Sequence, residues 1–175
     1  MKKTIAGILI LSIIAVGFYT FKALGGFNEI QISQKNLGKI ELVGIHYRGT
    51  PQDESLKNSF VQIEKLQKEN SGSILHTIYY IEPAGKLDTM EVFVGIERRW
   101  LEDITGKQIL SLDGHEAIVA EIEANRFVMP GPNKVKSKIE EFAKSNNMPA
   151  PNVYVDQILG PEHVRVIGIY QAEKK

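Results

Sequence analysis

The sequence predicts an α+β fold in which tandem strand-helix-strand-strand repeats form an antiparallel sheet with two helices on one face, preceded by an N-terminal transmembrane helix. Three observations predict it. An uncharged apolar run opens the chain, at Thr4 to Phe21. Two later segments carry apolar residues at helical spacing, Leu56, Phe60, Ile63, Leu66 and then Val135, Ile139, Phe142. Each of these is preceded by one stretch of strand character and followed by two, so the same plan occurs twice.

The opening run, TIAGILILSIIAVGFYTF, has 18 residues, at the short end of the roughly 17 to 25 that cross a bilayer. It shows no polar face, unlike a helix buried against a core. Lys2 and Lys3 could begin a cleaved signal peptide. Instead of a small-residue cleavage site, though, Tyr19, Phe21 and Lys22 follow, which suit interfacial anchoring and a retained segment. The expectation is a single-pass membrane protein, the two lysines inside and the domain extracytoplasmic. The chain divides into an anchor at 1–27, a tether at 28–38 and a domain at 39–175, with repeats at about 39–97 and 115–171.

In the first repeat a strand near Ile40 to Tyr47 leads into a helix signalled by Thr50 as cap, Pro51 at the first helical position and Asp53 three residues after the cap. Strands follow near Ile74 to Ile81 and Met90 to Ile96. Arg98 to Gly114, with the only tryptophan, Trp100, reads as a crossover. In the second repeat a strand lies within Ala117 to Met129 and a Pro130-Gly131-Pro132 break starts a helix near Asn133. Strands near Val153 to Leu159 and Val164 to Tyr170 complete it. Both helix stripes need apolar strand positions to pack on, which places the helices on one face and leaves the other open. Met90, Val92, Val94 and Ile96 alternate with Glu91, Phe93, Gly95 and Glu97, so carboxylates and aromatics collect on the open face.

Composition narrows the chemistry. Basic and acidic residues balance at 21 each, and taking away the three lysines of the first 22 residues leaves 18 basic against 21 acidic. A mildly acidic domain argues against a nucleic-acid surface, which needs clustered cations. No cysteine occurs, which excludes disulfides and thiolate chemistry. His46, His76, His115 and His163 are scattered without ligand spacing, so neither metal nor cofactor is expected.

The segments LVGIHYRGTP, MEVFVGIE, FVMPGP, NVYVDQ and VIGIYQ, in this order and spacing, resemble the gyrase-inhibitor-like family, also met as effector-binding domains of AraC-type and MerR-type regulators. The likeness spans nearly all of Lys39 to Gln171. It implies a cleft between the repeats that takes hydrophobic, often cationic, small molecules. Some members carry an N-terminal anchor, and a few hydrolyse strained cyclopropane rings with a Glu among aromatics. Tyr154 and Tyr170 match aromatic positions of the closing strands. Acids frequent among relatives are replaced here by Asn152 and Gly168.

The candidate ligand-binding residues are therefore Tyr47, Tyr80, Glu91, Phe93, Glu121, Glu123, Asn152, Tyr154 and Tyr170. An apolar or weakly cationic small molecule is the expected partner. Alternatives are an adaptor that recruits a protein partner and a hydrolase using Glu91 or Glu121 as base.

Overall fold

Alternating apolar residues and two amphipathic stripes produce one sheet and two helices laid on it. A computed structural model describes residues 2–172, with side chains described for residue 7 and from residue 9 onward. Helix α1 (Lys2–Ala23) opens the chain, followed by β1 (Gln31–Lys35) and β2 (Lys39–Gly49). The first repeat continues with α2 (Glu54–Glu69), β3 (Leu75–Ile81) and β4 (Met90–Glu97). After the short 3₁₀ turn Arg98–Trp100 come β5 (Gln108–Asp113), β6 (Ala117–Glu123), α3 (Pro132–Ser145), β7 (Val153–Gly160) and β8 (His163–Ile169).

The eight strands form one antiparallel sheet in the order β1-β6-β8-β7-β3-β4-β2-β5. The repeats β2-α2-β3-β4 and β6-α3-β7-β8 meet at the β3–β7 ladder, where Leu75, His76 and Thr77 pair with Ile158, Gln157 and Asp156. The α+β class and the tandem plan expected from the sequence are thus present, with two strands more than expected. Residues 31–35, read as tether, pair with β6, and residues 108–113, read as crossover, pair with β2. Each repeat therefore receives the strand that leads into the other.

Both helices cover the same face. Ile63, Phe60 and Leu66 of α2 pack on Val43, Val94 and Ile96, while Val135, Ile139 and Ala143 of α3 pack on Ile118, Ala120 and Val166. Gly168 lies under α3: a Cβ there would stand 2.7 Å from Ile139 Cγ2, so only glycine lets the helix seat at this depth. Helix α2 starts later than expected. Asp53 is the cap, its Oδ1 accepting from Ser55 N at 2.8 Å, while Thr50 and Pro51 form the preceding turn.

The other face corrects the sequence reading. It is not open: the sheet curls, and Leu42, Ile78, Phe93, Leu112, Val119, Val155, Ile167 and Ile169 close on one another as a second core. Its ends meet where the β1–β2 and β5–β6 connections cross, Leu37 N donating to Gly114 O at 2.9 Å and Gly114 N to Gly38 O at 2.8 Å. Strand alternation identifies faces but carries no information on curvature.

Helix α1 forms over the apolar run and ends at Gly25, which has φ 82°, with Gly26 N donating to Phe21 O at 2.9 Å. Among the described residues no helix is long and apolar enough to cross a membrane, and the expected transmembrane segment goes without structural support. The apolar side chains described on α1, among them Leu9, Leu11, Ile13, Ile14 and Phe18, are exposed. The side chains of Lys2 and Lys3, the basic start of the expected anchor, and residues 173–175 of the expected domain lie outside the described residues.

Candidate functional site

Curling the sheet leaves a cleft where the repeats join, on the inner face beside the second core. It encloses about 730 Å³, within the range of small-molecule sites, roughly 300 to 1,000 Å³. Strand β2 contributes Lys39, Ile40 and Glu41, β3 and its approach His76 and Ile74, the end of β4 and the 3₁₀ turn Glu97, Arg98 and Arg99, β7 Gln157, and β8 Arg165 and Ile167. Leu37 closes one side. The alternation that sends Val94, Ile96 and Val166 toward the helices sends Gly95, Glu97, Arg165 and Ile167 inward.

The floor is a chain of polar groups. His76, fully buried, donates from Nδ1 to Ile74 O at 2.8 Å, which leaves Nε2 as acceptor for Gln157 Nε2 at 2.7 Å. Gln157 Oε1 in turn accepts from Arg165 Nη1 at 3.1 Å, and Arg165 Nε donates to Glu121 Oε1 at 2.7 Å. Glu121 also accepts from His163 Nε2 at 3.0 Å and from Lys35 at 3.5 Å. Burial lowers the His76 pKa and keeps the imidazole neutral. Burial works to raise the Glu121 pKa, but the bonds from His163 and Arg165 hold it below the ordinary value.

The rim is charged. Lys39 pairs with Glu41 at 2.5 Å and Arg99 pairs with Glu97. The Glu41 carboxyl is held below its usual range, chiefly by the hydrogen bond and charge of Lys39, with Arg98 adding to it. Arg98 donates Nη1 to Leu101 O and has no carboxylate within ion-pair distance among the described residues.

None of the nine residues expected from the sequence lines this cleft. Tyr47 faces α2, buried, its hydroxyl donating to Thr50 O at 2.9 Å. Phe93 is in the second core, its ring over the Gly44–Gly95 pair, which has no Cβ to obstruct it. Tyr80 and Glu91 are brought together at the far end of the inner face. His46 lies between them, its ring 5.9 Å from that of Tyr80 and its Nε2 donating to Glu91 Oε1 at 2.9 Å, while Arg48 pairs with Glu91 at 3.5 Å. Glu121 adjoins the cleft only through Arg165. The Glu123 side chain is exposed, and its carbonyl receives Asn28 Nδ2 at 2.6 Å. Asn152 closes the end of the β7–β8 ladder, exchanging hydrogen bonds of 2.9 and 2.8 Å with the Gln171 backbone. Tyr154 packs against α3 and donates to Glu140 Oε1 at 3.0 Å, and Tyr170 is exposed. His76, Gln157 and Arg165 were missed, although inward parity on successive strands was the available signal for all three.

No family model matches the chain, and no curated protein matches it. Solved structures share its fold. A hydrolase from Listeria innocua is similar at 6% identity and a TM-score of 0.55, covering 86% of this chain and 98% of its own. EcmrR in its DNA complex is similar at 11% identity and a TM-score of 0.55, covering 96% of this chain and 67% of its own. SAV2435 bound to tetraphenylphosphonium aligns at 18% identity and a TM-score of 0.46, covering 82% and 94%. At such identities the likeness to the first two concerns the fold alone.

Proposed function

We propose that the chain is a small-molecule binding module, held at a membrane by α1, that takes its ligand into the cleft between the two repeats. The observation that carries this reading is the cleft itself: about 730 Å³ at the junction of the repeats, walled by Leu37, Ile40, Ile74 and Ile167 and floored by the buried His76–Gln157 pair. Aliphatic walls with a few convergent polar groups suit an apolar ligand body. Binding is favoured over turnover because the floor groups already satisfy one another: His76 Nε2 is engaged by Gln157 and is not poised toward the cleft as a base.

The membrane part rests on α1. Its described apolar side chains face outward, and just past its C-terminal end Asn125 N donates to Leu24 O at 2.9 Å, tying it to the domain. So much exposed apolar surface needs a partner, and an N-terminal helix without charges from Thr4 to Phe21 fits a bilayer.

Calorimetry on the full chain in a non-ionic detergent, with a panel of water-soluble aromatic compounds, tests the cleft. Ile74→Trp, which would fill it, is expected to abolish binding while circular dichroism stays unchanged. Undiminished binding by that variant would place the ligand elsewhere. Retention in membranes after an alkaline carbonate wash is expected; release into the wash would show that α1 does not anchor.

A further inference from the structure

We infer that the ligand of this cleft is an organic anion, an apolar body bearing a carboxylate or sulfonate head, held at the Arg98 side of the rim. The inference rests on the cleft reading above and adds the sign of the ligand's charge. Four cationic side chains line the cleft, Lys39, Arg98, Arg99 and Arg165, against two carboxylates, Glu41 and Glu97. Both carboxylates are engaged, Glu41 by Lys39 and Glu97 by Arg99. The third cation, Arg165, is neutralised by Glu121 from behind the floor, and Lys35 and His163 share that same acid. Arg98 remains. It points from the 3₁₀ turn at the mouth, partly buried, with one Nη1 bond to Leu101 O and further N–H donors to offer.

The acids among the candidate ligand-binding residues do not line this cleft. Glu91 lies at the far end of the inner face, between His46 and Arg48. Glu121 is held by two or three cationic groups, and Glu123 is on the exposed end of β6. A cation entering the cleft would meet excess positive charge and no unengaged carboxylate of its lining. An anion would gain a charge-assisted hydrogen bond from Arg98, about twice the strength of a neutral one, while its body lies on Ile40, Ile74 and Ile167.

Naphthalene sulfonate and naphthyl trimethylammonium share one ring body and differ in the sign of the head. Both are titrated into the full chain in non-ionic detergent, with Ile74→Trp as the blank that cancels partition into micelles. The sulfonate is expected to bind about tenfold tighter than the ammonium, the equivalent of one charge-assisted bond. Arg98→Gln should erase that preference, and Arg98→Lys should keep most of it. Added salt should weaken the sulfonate more than the ammonium. Decanoate in the same titration separates two sources of the anion: tighter binding than the sulfonate marks a lipid-derived chain, weaker binding a compact free compound. Equal or tighter binding of the ammonium, lost in Ile74→Trp, would overturn the anion and leave the cleft standing. Binding of neither probe would overturn both.

Discussion

Two polar sites lie back to back on the β3–β7 ladder, where the strands of the two repeats pair, and they are stabilised differently. On the inner face His76 pairs with Gln157; one residue along, on the helix face, Thr77 pairs with Asp156. His76 is fully buried, and both ring nitrogens have partners, so its neutral form is built into the hydrogen-bond chain of the cleft floor. Asp156 is half-buried, and no hydrogen bond to its carboxylate offsets the loss of water among the described residues. Desolvation is the main cause that pushes its pKa up to about 6, with Glu82 adding and Lys136 opposing. A buried group matched by hydrogen bonds holds a structure together, whereas one opposed mainly by desolvation weakens it whenever it ionises.

The comparison breaks most visibly at His76. His76→Ala should destabilise the fold by about 3 to 4 kcal/mol, because it opens a cavity and leaves the buried Gln157 amide without its acceptor. Urea unfolding of the full chain measures this, and a loss below about 1 kcal/mol would mean that the floor network contributes little.

At Asp156 the sign reverses. Asp156→Asn is expected to raise stability at pH 7 by on the order of 2 to 3 kcal/mol, since a pKa raised from 3.8 to about 6 corresponds to that cost of ionising in the folded state. The same melts should detect it, and an unchanged or lower melting temperature would show that Asp156 ionises without penalty.

The pH dependence sharpens the contrast. Asp156 has a raised folded pKa, so its contribution is complete below the unfolded value of 3.8 and is lost as pH rises toward about 6. His76 has a depressed folded pKa, so its contribution is complete above the unfolded value of 6.5 and is lost as pH falls below it. As pH falls from about 6 the two slopes oppose each other. Melting temperature should therefore climb less steeply with pH there in wild type than in Asp156→Asn. Parallel profiles would refute the opposition.

The smallest effect is expected at the end of the β7–β8 ladder. Asn152→Ala removes two hydrogen bonds to the exposed Gln171 backbone and should cost about 1 kcal/mol. It should leave ligand affinity unchanged, because Asn152 does not line the cleft.

The amino-acid sequence by itself determined the repeated plan, since the stripes Leu56–Phe60–Ile63–Leu66 and Val135–Ile139–Phe142 and the alternation of Met90 to Glu97 are local patterns that hold wherever the elements pack. It also determined that both helices share a face. It did not show β1 and β5, because short polar edge strands such as QISQK have one neighbour each and no pattern of their own. Tertiary structure alone decided the site. Parity told which side of a strand Glu97, Gln157 and Arg165 face, but not that curling would close that side over Phe93 and Ile78 and leave a cleft at one end. The same curling separated Glu91 from Glu121 and left Arg98 at the mouth of the cleft. Curvature comes from the summed twist of eight strands and the crossing at Gly38 and Gly114, contacts between residues far apart in the chain that no local pattern encodes.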